Sequence, residues 1–564
     1  MKNTFFYILL FFITSGFSQT NYPKDYFQYP LDIPIYLSGT FGELRSNHFH
    51  SGLDMKTQQK EGLKVFAAAE GYVSRIKISH WGYGKAIYVT HPNGYTTVYA
   101  HLKKFNPTIE AYIKKQQYIK ETYEIQLYPK ETELLIEKGE VIAYSGSTGG
   151  FVGPHLHFEI RDKQSRPINP MHFGISVKDT KRPSINVLMA YPQNDSTQVN
   201  GSNAPIQLNF KAMADGNLIA DKIEANGTIG LGIFSFDRQD GALNKNGVYS
   251  VDMFANGQKI IGRTADIFSF AESKLINLLI DYPRYADINQ RIQRCFIVPR
   301  NELSIYNNVV NEGYIHIEEG KNYNIEIIVK DFSGNVKKMI VPIEGKTQEI
   351  TVPKENVTPT PYFVNSELGG TFKNGGIEVK IPKKAFYEDV YLDLEIKDTI
   401  VEISKQKLPM HANYSLSMDV SNYSEKAKEK LFIASINSKG YLIYMNTKKK
   451  GNTFSTSTKN LGQFTLASDT KKPSLRLHNF KDKQWMTYYN QLILKVSDDL
   501  SGLKSYRGEI DGEWILLEYS PKHGTLTYDF TDKKFDTAKH TLKVMVEDQV
   551  GNTNEIEATF YRKK

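Results

Sequence analysis

The sequence predicts a mainly β protein, with an N-terminal antiparallel β-sheet domain followed by about three β-sandwich-like modules. The chain has 564 residues, which at roughly 150 residues per domain corresponds to three or four domains. Tyr (35) and Phe (31) are abundant while Trp (3) is rare, a balance typical of pleated sheet. Residues 324–330, 377–381 and 542–547 largely alternate apolar and polar side chains, with the period of two that half-buried strands have.

The first 18 residues have the pattern of a secretory signal peptide. A basic start at Lys2 is followed by an apolar run over 5–13 and by small residues before an expected cleavage site at Gln19. That run is too short to span a bilayer, and no later run is long enough. No Cys follows it. We therefore expect an exported protein, periplasmic or secreted to the cell surface, that is not a lipoprotein and has no transmembrane segment.

Charge and cysteine content exclude several classes of protein. The net charge of +8, from 70 basic and 62 acidic residues, is mild for this length, and no block of like charge suggests a nucleic-acid partner. The single cysteine, Cys295, excludes an intrachain disulfide and a Cys-rich zinc ribbon. We expect it to be a small buried side chain.

An internal repeat and three similar turns divide the chain. Asp-Thr-Lys-Arg-Pro-Ser-Ile at 179–185 recurs as Asp-Thr-Lys-Lys-Pro-Ser-Leu at 469–475, and each copy resembles the entry to a domain. Strands lead into turns rich in Asp, Asn and Gly at 330–335, 498–502 and 547–552, residues that close tight turns.

These boundaries, with a third at the Thr-Pro-Thr-Pro of 358–361, predict the domain organisation. We name its parts the N-terminal segment (22–178), the first module (180–350), the middle module (355–468) and the C-terminal module (470–564). The first and C-terminal modules resemble bacterial immunoglobulin-like domains, whereas the middle module is a β-domain of unknown type.

One stretch breaks the β pattern inside the N-terminal segment. Apolar residues over 107–122 fall near helical spacing and predict a surface helix, followed by a strand at 124–128. The helix is either an ordinary connector or a wall over a site.

Eight of the 13 histidines lie in the N-terminal segment, and their spacing points to chemistry. His50 and Asp54 are four residues apart, separated by Ser-Gly, and can converge on one ion; the alternative is an unrelated solvated His. His155 and His157 share one face of a strand whose other face, with Leu156 and Phe158, packs into the core. Such a pair suits one metal ligand and one acid–base group, unless it is only a His-rich edge strand.

A third histidine ends a strand of its own. Tyr95, Thr97, Tyr99 and His101 are expected to share one strand face, where a lone His would normally be structural. No His-Glu-x-x-His helix occurs, and the glycines at 146–153 are not followed by Gly-Lys-Ser/Thr, so neither a helical zinc protease nor a phosphate loop is indicated.

In this order, and in an exported chain, these residues resemble the lysostaphin/LytM-type zinc metallopeptidases, endopeptidases that cut peptide cross-links of bacterial cell walls. The resemblance covers about 35–175. An extra segment at about 103–136 departs from the family pattern. The matching motifs are Gly82-Tyr83-Gly84, His91-Pro92-Asn93-Gly94-Tyr95, Tyr99-Ala100-His101-Leu102, Lys138-Gly139-Glu140-Val141-Ile142-Ala143, Ser145-Gly146-Ser147-Thr148-Gly149 and His155-Leu156-His157-Phe158-Glu159.

The resemblance implies a zinc metalloendopeptidase that hydrolyses peptide bonds in peptidoglycan stem peptides or cross-links with a metal-activated water. His50, Asp54 and His157 would hold one Zn²⁺ per chain and leave its fourth position open. His101 and His155 would be the catalytic residues that move the water's proton and stabilise the oxyanion.

The same resemblance leaves two neighbouring residues without such a role. His48 would be only a neighbour of the site, and Glu159 would not serve as general base.

Two other functions stay open. A non-catalytic LytM-fold protein would bind the cell wall or activate an amidase, but such proteins typically lack the metal ligands. A secreted peptidase could instead act on protein substrates. In each case the β-modules would be spacers or would bind the wall or protein partners.

Overall fold

The computed structural model describes residues 22–150, 153–397, 399–404 and 407–563. It is mostly strand with little helix, so the predicted mainly β class is confirmed. Within those ranges, no helix has the length and apolar character needed to cross a membrane. The signal-peptide prediction falls on residues 1–18, which lie outside the described residues.

A nine-stranded antiparallel sheet forms the centre of the N-terminal segment. In spatial order, its main strands are Leu37–Gly39, Leu53–Lys56, His155–Arg161, Thr96–Ala100, Lys85–Thr90, Gly71–Ile78 and Ile125–Leu127; Leu135–Ile136 also pairs with Gly71–Ile78, and Pro167–Ile168 with His155–Arg161. Two smaller sheets accompany it: Lys64–Phe66, Val141–Ser145 and Leu102–Phe105 form one, and Leu44–Arg45 and His48–Phe49 the other.

The two faces of this sheet differ in what they bury. Phe158 lies on the core face and is fully buried, as the alternation predicts, and Tyr99, its neighbour on the adjacent strand, is fully buried beside it. A polar network crosses the same domain: His91 bonds the carbonyl of Glu70 through Nδ1 (2.7 Å) and the hydroxyl of Thr97 through Nε2 (2.8 Å). A buried polar ring of this kind keeps its place because both its nitrogens are satisfied.

The extra segment forms the helix Pro107–Lys120 and the strand Ile125–Leu127, so both predicted elements are confirmed. Asn106 caps the helix by accepting the N–H of Ile109 at 2.9 Å, and a proline occupies the first turn, where its missing N–H costs nothing. The helix is not only a surface element, because the C-terminal module packs against it.

The first module is built on one set of thirteen strands. Its strands are Ser184–Pro192, Gln198–Val199, Ile206–Leu208, Phe210–Ala212, Leu218–Ala220, Ile223–Phe236, Ser250–Ala255, Gln258–Thr264, Gln293–Arg294, Tyr306–Asn307, Ile315–Ile317, Asn322–Lys330 and Val336–Gly345. Short helices at Ile276–Leu279 and Tyr282–Ile288 interrupt it. Cys295 is buried here, as expected.

The first module shares its core with the N-terminal segment. Ala265, Phe268, Ile276 and Leu279 belong to the same buried cluster as the core face of the central sheet. The N–H of Phe49 also donates to the hydroxyl of a serine in the first module at 2.9 Å. The two parts therefore form one packed unit rather than separate domains joined by a linker.

Each of the last two modules encloses a core between two sheets. The middle module has Gly370–Asn374, Ile377–Ile381, Tyr414–Asp419, Thr453–Thr458 and Lys448–Lys450 in one sheet, Leu394–Lys397, Ile400–Ile403, Gly462–Ser468, Leu431–Ile436 and Leu442–Tyr444 in the other, the pair Tyr362–Val364 and Val390–Leu392, and the helix Glu425–Lys430. The C-terminal module has Ser474–Leu477, Gln491–Ser497, Thr525–Asp529 and Glu518–Ser520 facing Gln484–Trp485, Thr553–Tyr561, Lys539–Asp548, Leu503–Ile510 and Glu513–Ile515.

The C-terminal module returns to the N-terminal segment. Asp532, whose side chain is only 2% exposed, accepts bonds from Lys114 and from the hydroxyl of Tyr118 on the helix Pro107–Lys120. Tyr118 also meets Trp514 edge-on, with ring centroids 5.2 Å apart. The predicted surface helix is thus held between its own sheet and a module formed by the end of the chain.

Candidate active site

Three side chains converge on one point on one face of the central sheet. Asp54 Oδ1 lies 3.0 Å from His50 Nε2 and 2.8 Å from His157 Nδ1, and those two nitrogens are 3.1 Å apart. All three residues are buried. The structure therefore brings together the three residues that the sequence proposed as metal ligands.

Strand pairing fixes two of these residues. Asp54 and His157 stand directly opposite each other in adjacent antiparallel strands, so their side chains leave the sheet on the same face. His50 precedes the strand and is aimed by its other nitrogen, since Nδ1 donates to the carbonyl of Thr40 at 2.8 Å. Gly39 allows the close approach: a Cβ there would lie 2.7 Å from the carboxylate of Asp54.

A second set of groups holds the ligands from behind. Arg45 Nη2 lies 2.7 Å from Asp54 Oδ2, which leaves Oδ1 turned to the two histidines. Glu159 is fully buried and accepts from His157 Nε2 at 2.8 Å, so that neutral His157 presents Nδ1 to the site. Glu159 is in turn bound by Arg161 Nε at 2.5 Å.

Glu159 also accepts from two hydroxyls. Ser51 Oγ donates at 2.8 Å, and the Tyr83 hydroxyl makes a short bond. The expectation that Glu159 is not the general base agrees with this geometry, because its oxygens face away from the metal-binding side of His157.

His101 occupies a different face from the one that alternation predicts. The strand Thr96–Ala100 ends just before it, and His101 has a left-handed backbone, with φ of 59°. Its N–H donates to the carbonyl of Tyr83 (3.0 Å) and its Nδ1 to that of Thr148 (2.9 Å). The prediction that His101 shares a face with Thr97 and Tyr99 is therefore wrong, because the backbone turns after Ala100.

The turn places His101 beside His155. Their ring centroids are 4.6 Å apart, and the ring of His101 is 5.9 Å from that of His157. His155 Nδ1 lies 3.1 Å from the carbonyl of Gly153, while its Nε2 lies 3.6 Å from Asp54 Oδ1. Both histidines flank the three converging groups, where the proposed catalytic roles need them.

The surroundings give these histidine rings different pKa values. Burial, with the nearby His157 and His155, lowers the pKa of His101 to about 3. Burial also lowers the pKa of His155. Burial opposes protonation of His157 as well, but hydrogen bonds to Asp54 and Glu159 outweigh it and raise its pKa to about 9. His101 and His155 are thus neutral imidazoles at neutral pH, each with a lone pair on one ring nitrogen.

Sequence reasoning gave no role to two residues that support the site, Tyr83 and Arg45, and it gave none to His48. His48 is exposed, with Nδ1 2.7 Å from the carbonyl of Ser46, and contributes no atom to the converging group. Tyr83 stacks near His157, with centroids 5.1 Å apart, and bonds Glu159. The Gly82-Tyr83-Gly84 motif could have pointed to Tyr83. No motif or spacing in the sequence links Arg45 to Asp54.

Comparisons with known proteins agree with this site. A family model described as Peptidase family M23 matches residues 48–126 and 126–170, and one described as Zu5-like domain matches 361–469, within the middle module. The DD-carboxypeptidase/endopeptidase Mpg of Neisseria meningitidis is 34% identical over 132 residues, 23% of this chain and 24% of that protein. The peptidoglycan DD-endopeptidase ShyB of Vibrio cholerae is 30% identical over 128 residues, 23% of this chain and 24% of that protein.

The chain spans about a quarter of the length of these curated relatives. Among solved structures, the catalytic domain of lysostaphin from Staphylococcus simulans has 23% sequence identity and a TM-score of 0.18, covering 24% of this chain and 90% of that one. A zinc-containing peptidase from Vibrio cholerae has 24% identity and a TM-score of 0.20, covering 27% and 41%.

Proposed function

Because residues 48–170 form a peptidase family M23 domain, we propose that the chain is an exported zinc endopeptidase that hydrolyses peptide bonds of peptidoglycan. The observation that carries the proposal is the convergence of His50 Nε2, Asp54 Oδ1 and His157 Nδ1 on one point. The names of the curated relatives, which include peptidoglycan endopeptidases, support this substrate class.

The three converging groups fit zinc. Two imidazole nitrogens and one carboxylate oxygen are ordinary zinc donors, and three protein ligands are typical of a catalytic site. Donors on a tetrahedral zinc, at about 2.0–2.1 Å from the ion, lie about 3.3 Å apart. Their observed separations of 2.8–3.1 Å require movements of only a few tenths of an ångström. When bound, zinc supplies a Lewis acid that polarises the peptide carbonyl and acidifies water.

The chain's own residues divide the remaining work. Glu159 and the carbonyl of Thr40 hold His157 and His50 in the tautomers that present a lone pair to the ion. His101 donates from Nδ1 to a backbone carbonyl, so the Nε2 of the neutral ring carries a lone pair and accepts the proton of the attacking water. His155, next to it, would stabilise the developing oxyanion in its protonated form, because the single proton of the neutral ring is on Nδ1, against the carbonyl of Gly153.

The C-terminal module extends the surface available to a long substrate. A cleft of about 660 Å³ runs from the loop containing Ser147 and Thr148, beside His101, to the C-terminal module. Its walls include Lys103 on one side and Lys522 on the other. We propose that the extra segment is a wall and that, together with this module, it shapes the groove for the peptidoglycan strand.

The test is digestion of purified cell-wall sacculi by the zinc-loaded protein, with and without a chelator. We expect the wild type to release soluble fragments and the chelator to stop it. Asp54→Ala and His157→Ala should lose both zinc and digestion.

The matched control is His48→Ala, which removes an exposed histidine two residues from His50. It should keep one zinc per chain and full activity. A folded, zinc-loaded wild type that digests neither sacculi nor isolated stem peptides would overturn the proposal. If the protein digested only protein substrates, the alternative of a secreted peptidase that acts on proteins would take the place of the peptidoglycan proposal.

A further inference from the structure

Two groups of three aspartates lie at matching places in the first and C-terminal modules. We name them the first corner and the second corner. The first corner is Asp179, Asp237 and Asp331, and the second corner is Asp469, Asp498 and Asp548. Within each corner, one oxygen from each aspartate lies within 4.8 Å of the other two.

The two corners are built in the same way. Ser184, five residues after the first aspartate, pairs with Phe236, the residue directly before the second aspartate. Ser474 pairs with Ser497 in the same relation in the C-terminal module. In both modules the third aspartate stands at the end of the first strand of the last hairpin, where the chain enters the turn. The correspondence is therefore one of strand position as well as of sequence.

An asparagine completes each corner. Asn335 Nδ2 donates to the carboxylate of the third aspartate at 2.7 Å and to the main-chain carbonyl of the first at 3.2 Å. Asn552 Nδ2 makes the same two bonds in the second corner, at 2.7 and 3.0 Å. These bonds hold the first and third aspartates in place and leave the second to face them.

Buried oxygens without a donor point to a missing ligand in each corner. Asp237 is 4% exposed, and its Oδ1 accepts no hydrogen bond from any described residue. It lines a small cavity of about 20 Å³, shared with Tyr249, which is room for one ion or water. At the second corner, the N–H of Ser501 donates to Asp469 Oδ2 at 3.0 Å, and the hydroxyl of this buried residue has no hydrogen-bond partner among the described residues.

Three carboxylates gathered in a buried corner repel one another. Burial, together with the charges of Asp179 and Asp331, raises the pKa of Asp237 to about 7. Such an arrangement is relieved in one of two ways. A cation neutralises the corner, or two carboxyl groups share a proton.

We propose that each corner binds one calcium ion. Carboxylate, hydroxyl and carbonyl oxygens are hard donors, which suit Ca²⁺ rather than zinc. Oxygens at 2.3–2.6 Å from one ion lie at most about 5 Å apart, and the oxygens of each corner satisfy this limit.

The position of the corners indicates what calcium would do. The cavity of the first corner is also lined by Thr40 and Asn169 of the N-terminal segment. In the second corner, the N–H of Asp469 donates to the carbonyl of Lys430 in the middle module at 3.1 Å. Each ion would therefore sit at a joint between consecutive parts of the chain and stiffen it.

The test is calorimetric titration of the full-length, zinc-loaded protein with calcium chloride. We expect two calcium ions per chain, with dissociation constants of about 10⁻⁴–10⁻³ M, as in other extracellular modules, and a higher melting temperature with calcium. Asp237→Asn and Asp498→Asn should each leave one ion bound. Terbium luminescence excited through Tyr249 should be lost in the first variant and kept in the second.

The matched control is Asp419→Asn, in the middle module, where the aspartate accepts a turn N–H and belongs to no group of three metal-ligating side chains among the described residues. It should keep two calcium ions. A folded wild type that shows neither binding heat nor a melting shift up to about 10 mM calcium overturns the proposal, as does retention of both ions in Asp237→Asn. An Asp237→Asn protein more stable than a calcium-insensitive wild type would overturn it in favour of the shared proton.

Discussion

Replacing Glu159 by Gln tests whether this residue positions a zinc ligand or acts as a base. The change keeps the size of a fully buried side chain but removes the charge that holds His157 Nε2 and Arg161 Nε. Partners of metal-bound histidines typically contribute 10–100-fold to metal affinity, or about 1.4–2.7 kcal/mol. We expect Glu159→Gln to bind zinc 10–100-fold more weakly and to recover most of its turnover when zinc is saturating.

Substitution of Glu159 should also destabilise the fold, and this determines which variant is informative. Either substitution leaves the buried guanidinium of Arg161 without its carboxylate, a change that costs about 3–5 kcal/mol, but Gln keeps an oxygen that can accept a hydrogen bond and Ala does not. Gln is therefore the informative substitution and Ala the one that risks unfolding. Zinc affinity is measured by competition with a chromophoric chelator, and turnover on a stem-peptide substrate across pH. Glu137→Gln, an exposed glutamate of the same domain, is the control.

Two results would refute this reasoning. A folded Glu159→Gln protein with zinc affinity within about twofold of the wild type would show that the carboxylate does not position His157. Unchanged affinity with a lost acidic limb in the pH–rate profile would show instead that Glu159 is the general base.

Three further predictions follow from other contacts. His101→Ala and His155→Ala should each keep about one zinc per chain while turnover falls on the order of a hundredfold or more; near-normal turnover would contradict their roles. A double-mutant cycle between Lys114→Ala and Asp532→Ala, read from thermal unfolding, should give a coupling of about 0.5–3 kcal/mol, and zero coupling would mean that the module docks without this pair. Burial lowers the pKa of His91 below 6.5, so stability present above pH 6.5 should fall as pH drops below it, and His91→Gln should remove this acid-side loss; identical pH curves of melting temperature would contradict it.

One pair of site histidines was predictable from a local rule, whereas the ligand set came from the family resemblance. Residues two apart share a strand face, which placed His155 and His157 together, and the family resemblance supplied their partners His50 and Asp54. His101 shows where local rules end. Its turn to the other face depends on carbonyls of Tyr83 and Thr148, which are distant in the chain, so strand alternation alone gives the wrong face.

Domain contacts were less accessible to sequence reasoning. Apolar patterning indicates that Phe268 and Ile276 are buried, but it does not indicate which surface buries them. The repeat at 179–185 and 469–475 gave matching module entries, and the similar turns gave the third aspartates. No sequence pattern pointed to Asp237, the second aspartate of the first corner, because it follows a long strand and no turn motif surrounds it.

The docking of the C-terminal module makes the helix Pro107–Lys120 depend on a late part of the chain. Lys114 and its partner Asp532 are 418 residues apart. At 5–20 residues per second, synthesis of the intervening chain takes roughly 20 to 80 s. Throughout that interval the face of the helix that carries Tyr118 lacks the cover that Trp514 and Asp532 provide in the folded chain.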